Sequence, residues 1–162
     1  MARFAAFLLS ALSVANVVVS LGQNATIAFD DAPGRLLLGD KSTAVRIIVD
    51  DTDWKGVKRV AQDLAHDFGR VTGINGSATA VGTSCLAKGL GNGTADGGVI
   101  IAGTLGKSKL IDDLVSAGKV NVGAVKGYWE AFSSQIVISP CLGVDKALVI
   151  AGELQSLVSP GN

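Results

Sequence analysis

Hydrophobic positions along the chain fall into three rhythms, and each predicts a different element. From Phe4 through Ala11 and Leu12 they run almost unbroken behind a basic Arg3, and small residues follow. That is the layout of a secretory signal over residues 1–20, with cleavage after Val18-Val19-Ser20 or at a second small-x-small site, Ser13-Val14-Ala15. Ser10, Ser13 and Asn16 interrupt the run well short of the ~20 residues that a membrane-spanning helix needs. The second rhythm is the short β-branched or apolar run bounded by turn residues: Val45-Arg46-Ile47-Ile48-Val49, Val99-Ile100-Ile101-Ala102 and Lys146-Ala147-Leu148-Val149-Ile150-Ala151. Each predicts a buried strand. The third has helical spacing. Val57, Val60, Ala61, Leu64, Phe68 and Val71 share one face, and Lys58, Arg59, Gln62, Asp63, His66 and Arg70 take the other. Gly73 is placed to end that helix in the left-handed conformation.

Weaker patterns fill the intervals. Ala25 to Phe29 and Arg35 to Leu38 read as two short strands around the turn Asp30-Asp31-Ala32-Pro33-Gly34. A second helix is expected to open near Ser108, pack through Leu110, Ile111, Leu114 and Val115, and close at Gly118. After Val120 to Val125, Tyr128 to Ile138 has extended character and Pro140 interrupts it. Residues 74–98 are rich in Gly, Ser, Thr, Ala and Asn without a sustained period, which predicts a long flexible loop. A strand, a helix and a second strand between Val45 and Ala102 allow a right-handed parallel crossover. The expected fold is therefore α/β, a mixed sheet with two covering helices.

Composition narrows the function classes. The 162 residues carry 14 Lys+Arg against 14 Asp+Glu, so there is no clustered basic footprint for nucleic acid or an anionic membrane. A (β/α)₈ barrel typically needs ~250 residues, more than the chain supplies. Three acceptors for N-linked glycans, Asn24-Ala25-Thr26, Asn75-Gly76-Ser77 and Asn92-Gly93-Thr94, agree with export. Cys85 and Cys141 are the only cysteines. In an oxidising compartment such a pair is expected to form a disulfide across more than fifty residues; the alternative is two buried thiols.

Candidate chemistry is sparse. Gly103-Thr104-Leu105-Gly106-Lys107-Ser108 follows a strand and opens a helix like a phosphate loop, but that motif needs a glycine five residues before Gly106, where Ile101 stands. A tight turn with Ser108 as helix cap is the simpler reading. Asp51-Thr52-Asp53-Trp54-Lys55-Gly56 imitates the start of a calcium loop, yet Lys55 and Gln62 occupy positions that require oxygen ligands. These carboxylates are expected to cap the first helix and complement its dipole. The two glutamates, Glu130 and Glu153, offer no evident acid and base pair, and Glu130 is expected on a strand surface opposite its neighbour Trp129. His66 falls on the polar helix face, and neither a nucleophile elbow nor a metal-ligand spacing is present. No residue is assigned to catalysis, to a cofactor or to a metal.

Four segments carry a resemblance. Asp50-Asp51-Thr52-Asp53-Trp54-Lys55-Gly56-Val57, Asp67-Phe68-Gly69-Arg70-Val71-Thr72-Gly73, Ile100-Ile101-Ala102-Gly103-Thr104-Leu105-Gly106-Lys107-Ser108 and Gly143-Val144-Asp145-Lys146-Ala147-Leu148-Val149-Ile150-Ala151-Gly152 resemble, in order and rough spacing, the amino-terminal domain of glycoside hydrolase family 115, the xylan alpha-glucuronidases. The likeness spans Gly22 to Gly152. It implies an accessory α/β domain over residues 21–152, similar to the second domain of hexosaminidases, in a secreted hydrolase of O-glycosyl bonds in glucuronoxylan. The family's catalytic carboxylates lie in a following barrel. Where the family continues with a Ser-Asp-Lys/Arg-Arg-Gly-Thr run, this chain has Glu153-Leu154-Gln155-Ser156 and a divergent tail over 153–162.

The resemblance thus implies a domain that is inactive alone and whose partners are xylan or a glycoside hydrolase catalytic domain. A free-standing secreted binding module, with Trp54 and Trp129 as sugar-stacking faces, is the alternative. A truncated, nonfunctional gene product is a third.

Overall fold

The β-branched run at Val45 and the apolar runs at Val99 and Lys146 each become a strand of one sheet, because only burial on both faces accommodates such continuous hydrophobicity. In the computed structural model the described residues are Ala28, 35–82 and 98–154. The chain divides into two units, Met1–Ala32 and Pro33–Asn162, and the sheet and its helices belong to the second. The elements in chain order are β1 (Arg46–Asp50), α1 (Lys55–Thr72), β2 (Ser77–Val81), β3 (Val99–Thr104), α2 (Lys109–Ser116), β4 (Phe132–Cys141) and β5 (Val144–Gly152). The sheet order is β2-β1-β3-β5-β4. The first four strands in that order are mutually parallel, and β4 runs antiparallel to β5 along the edge.

Among the described residues this is the α/β fold expected, with a five-strand mixed sheet and two helices. Alternation along β1 and β3 divides the core in two. Ile48, Val99 and Ile101 point to the face that α2 covers, where they join Leu110, Ile111, Leu114, Val120, Val122, Val137 and Val149. Val45, Ile47, Val49 and Ile100 point to the other face and meet Ala61 and Ala65 of α1, with Leu64 and Phe68 packed alongside. Of the face read from Val57 to Val71, Val57, Ala61, Leu64 and Phe68 pack here, whereas Val60 and Val71 are largely exposed, and Gly73 ends α1 at φ 86° with its N–H bonded to Gly69 O. Ser108 caps α2 as expected, its hydroxyl accepting from Ile111 N at 3.3 Å.

Five expectations are corrected. Within the supposed loop 74–98, Ser77–Val81 forms β2, paired in parallel with β1 from Arg46↔Ser77 to Asp50↔Val81. Ser-Ala-Thr-Ala-Val has no strong apolar alternation because an edge strand needs little burial: Ala78 packs under α1, and Val81 touches the α2 side. Arg35 to Leu38 is not a strand. Its backbone crosses directly over Gly98, where no side chain would fit, and Leu38 packs against the α1 cluster, so contact with the core replaces ladder pairing. Tyr128 to Glu130 forms a turn, and β4 begins only at Phe132. Glu130 has φ 53° there and is exposed in the turn rather than on a strand.

Nor does Pro140 end β4. It lies within the strand, at a register irregularity between Ile138 and Cys141, on a sheet edge where a missing N–H costs no ladder bond. Of the remaining expectations, the signal (1–20), most of Ala25 to Phe29, Asn24, Asn92, Cys85 and residues 155–162 lie outside the described residues.

Candidate functional site

In a sheet of this order the chain leaves β1 towards one face through α1 and leaves β3 towards the other through α2. The two loops diverge, and the crevice between them at the carboxyl ends of the strands is where open α/β sheets bind ligands. Three of the four segments behind the family resemblance converge there. Asp50 to Trp54 follows β1, Thr104 to Ser108 follows β3, and Gly152 ends β5 with its carbonyl accepting from Leu105 N at 2.9 Å.

Two buried carboxylates join these segments. Asp53 is 4% exposed; its Oδ1 accepts from Trp54 N at 2.7 Å and its Oδ2 from Thr104 N at 2.9 Å, across fifty-one positions of sequence. Asp50, 5% exposed, accepts at Oδ1 from the Thr52 N–H and hydroxyl at 2.8 and 2.7 Å, and at Oδ2 from Leu110 N at 3.0 Å. The last bond is a correction to the expected helix capping. The N-cap of α1 is Trp54, which makes no side-chain cap bond, and the first turn of α1 holds no acidic residue. Asp50 instead satisfies an amide in the first turn of α2, so a carboxylate preceding one helix in sequence caps the other in space.

Burial pushes the Asp50 carboxyl upward, but the hydrogen bonds from Thr52 and Leu110 outweigh it and hold the group below the ordinary aspartate value. The second segment is fitted as tightly. A Cβ at Gly103 would stand 2.6 Å from Ser108 Oγ and 2.9 Å from Ile111 Cγ1, so glycine is what lets the start of α2 lie against β3. Gly106 takes φ +71° in the turn between them. The amides of this turn are committed internally: Gly106 N donates to Asp112 Oδ1, and Lys107 N and Ser108 N to Thr104 O. The phosphate-loop likeness therefore ends as the tight capped turn that its spacing suggested.

The outer rim of this edge is aromatic. Trp54 is half exposed, and the Lys107 ammonium lies 5.1 Å from the centre of its ring. Tyr128, Trp129 and Phe132 stand exposed where β4 begins, opposite the end of β5 at Gly152. Trp54 and Trp129 thus share one edge but are not side by side, since the end of β1 and the start of β4 are three strand intervals apart, ~14 Å. Glu153, just past β5, donates its N–H to Ala131 O at 2.8 Å, while its Oε2 is buried without a hydrogen-bond partner. Sequence reasoning passed over Tyr128, Phe132 and Lys107 as members of this rim. The signal available was three aromatic residues within Tyr128 to Phe132, which an assumed strand would have split between two faces.

The other candidates lie elsewhere. His66 is exposed on α1, beside a shallow groove lined with Gln62, Asp63, Gly76 and Ala78. Asn75 is exposed immediately before β2, at the opposite side of the sheet from β4. Cys141 is buried at the end of β4, and its expected partner Cys85 is outside the described residues. Among the described residues no cluster of His, Cys, Asp or Glu could hold a metal ion, and no helix is long and apolar enough to cross a membrane. No family model matches the chain, and no curated protein matches it.

Two substitutions test this edge. Asp50→Asn turns one acceptor into an amide donor facing a buried N–H and should cost about 1–3 kcal/mol at neutral pH, read from the urea midpoint. Because the folded pKa lies below the unfolded value of 3.8, the contribution of Asp50 is present above that pH and lost as pH falls through the folded value. The gap between variant and native chain should therefore narrow below pH 3.8. Gly103→Ala should destabilise by roughly 1–3 kcal/mol through overpacking against Ser108 and Ile111, and a thermal midpoint equal to the native one would refute the close approach.

Proposed function

We propose that this chain is a secreted accessory domain of an alpha-glucuronidase-like glycoside hydrolase, associated with glucuronoxylan and catalytically silent by itself. The observation that carries the reading is the convergence of three resembling segments on one edge of the sheet, tied by Asp53 to Thr104, Asp50 to Leu110 and Leu105 to Gly152. Segments far apart in sequence that meet and bond in the fold are better evidence of kinship than each alone. The likeness to the second domain of hexosaminidases, and membership of family 115, belong to this proposal.

Catalytic silence is part of this proposal, and the use of the edge's aspartates supports it. Glycoside hydrolysis needs two carboxyl groups flanking the scissile bond, one acting as acid. Asp50 and Asp53 are spent on backbone amides, and Glu130 is exposed in a turn. The accessory reading also includes export, glycans at Asn24, Asn75 and Asn92, and a Cys85–Cys141 disulfide. Exposure of Asn75 is compatible with a glycan there.

A free-standing binding module is the second reading. It rests on the exposed rim of Trp54, Tyr128 and Trp129, because sugar rings stack on solvent-facing aromatics. The spacing of Trp54 from Trp129 calls for an oligosaccharide rather than one ring.

The purified chain should release no 4-O-methylglucuronic acid from aldouronic acids, and measurable turnover would overturn the proposal. Retention on insoluble xylan above that on a carbohydrate-free control, lost in Trp54→Ala and Trp129→Ala, would favour the binding module. Equal retention of all three chains would remove these tryptophans from any sugar site.

A further inference from the structure

The two edges of the sheet are not equally protected. β4 is broken by the register irregularity between Ile138 and Cys141 and carries Pro140, two devices that discourage a further strand from pairing there. β2 has neither. Among the described residues it pairs with β1 alone, and Ser77-Ala78-Thr79-Ala80-Val81 holds no proline and no charge, with Ser77, Thr79 and Ala80 exposed. Such an edge normally requires cover.

The residues that begin β2 bear on what that cover is. Asn75-Gly76-Ser77 is an acceptor for an N-linked glycan, and the fold fixes it against α1. The Gly76 N–H donates to Ala65 O and that of Ser77 to Val45 O, each at 2.9 Å. A Cβ on Gly76 would stand 2.5 Å from Val45 Cγ1 and 3.3 Å from Ala65 Cα, so the residue is wedged between helix and strand. Asn75, exposed overall, lies across Gly69, where a Cβ would overlap its Oδ1 and stand 2.8 Å from its Cγ. A glycine inside α1, where glycine weakens a helix, thus makes the room that this side chain fills. Gln62, His66 and Gly69 fall within ~60° of one another around the helix axis. From Asn75 this flank of α1 therefore leads back to the shallow groove lined by Gln62, Asp63, Ala65, His66, Gly76 and Ala78.

We propose that a glycan on Asn75 is the cover: its first N-acetylglucosamine lies in the groove between α1 and β2 and shields the free edge of the sheet. The inference rests on the export included in the accessory-domain reading and goes beyond it, because it gives one glycan a place and a task in the fold. The groove suits an N-acetylhexosamine. Ala65, Gly76 and Ala78 make a small apolar floor for the acetamido methyl and the C–H face of the ring, while Gln62, Asp63 and His66, exposed on its wall, offer donors and acceptors to the amide and hydroxyls. Attachment joins Asn75 Nδ2 to the anomeric carbon of an oligosaccharide carried on a lipid diphosphate. The bond from that carbon to the diphosphate oxygen breaks, the lipid diphosphate leaves, and the amide gives up one proton to a base of the transferase. In the folded chain the Gly76 and Ser77 amides are already bonded to Ala65 and Val45, so transfer belongs before β2 docks and the sugar folds into place with the strand.

The test uses the full chain secreted from a eukaryotic host with Asn24→Gln and Asn92→Gln, so that Asn75 is the sole acceptor, and trimmed to one N-acetylglucosamine by an endoglycosidase. Intact mass should show the sugar. The same chain made without glycosylation in a bacterial periplasm is the reference, and Ser77→Ala from the eukaryotic host is a second. Relative to both, amide shifts should change at Gln62, His66 and Ala78, and the acetamido methyl should give nuclear Overhauser contacts to Ala65 or Ala78. The thermal midpoint should be higher by roughly 2–4 °C, and light scattering should show the bare chains aggregating first. Ser77→Thr keeps the acceptor and should keep the sugar and the midpoint. Gln62→Ala with His66→Ala, on an exposed helix surface, should leave the sugar attached but remove at least half of its effect. A secreted chain with Asn75 bare overturns the proposal, as does an attached sugar that shifts no groove amide, or whose loss leaves midpoint and aggregation unchanged; the accessory-domain reading stands in each case. A chain that never enters the secretory route overturns both, whereas release of 4-O-methylglucuronic acid counts against the reading alone.

Discussion

The carboxylates of Asp50 and Asp53 hold together the point at which the chain sends its two helices to opposite faces. Divergence of α1 and α2 leaves amides to be satisfied at the ends of β1 and β3 and at the start of α2, and those of Thr104 and Leu110 are buried. Each would cost about 1–3 kcal/mol if left unsatisfied. Asp53 takes Trp54 N and Thr104 N, and Asp50 takes Thr52 N and Leu110 N. These bonds tie the loop after β1 to the end of β3 and to the first turn of α2. Asp53, which imitates an ion ligand in sequence, and Asp50 thus serve the fold, their bonds running to backbone amides and the Thr52 hydroxyl.

The same edge bears the exposed aromatic residues, so rigidity and display are joined. Trp54 sits between the two carboxylate-anchored loops, and the rim from Tyr128 to Phe132 is fixed by the turn bonds of Ala131 and Glu153. The face over β5 and β4 differs from this edge in chemistry, with Phe132, Ile136 and Ile138 exposed.

Strongly periodic segments were legible and weakly patterned ones were not. Helix α1 and strands β1, β3 and β5 could be read directly because each buries many side chains, and burial imposes spacing. Strand β2 escaped notice since at a sheet edge Ala78 and Val81 suffice. The start of β4 was misplaced because Tyr128 and Trp129 are strand formers by propensity that here stand exposed in a turn. Pro140 looked like a terminator, yet an edge position at a bulge makes no use of its missing N–H. In the site, Ser108 as cap was legible, being local, as was Gly73 as the stop of α1 at the other end of the sheet. The action of Asp50 on α2 was not, since sixty positions separate Asp50 from Leu110.

What the amino-acid sequence by itself determined is the class of fold, the main helix and strands, and the absence of a recognisable phosphate or calcium loop, because those depend on spacing within a few residues. Tertiary structure alone decided which carboxylate serves which helix, that the resembling segments converge on one edge, and that half of one sheet face lies bare among the described residues. These are properties of pairing between distant strands. Spacing along a chain records which faces are apolar, whereas only the order β2-β1-β3-β5-β4 decides what each face meets.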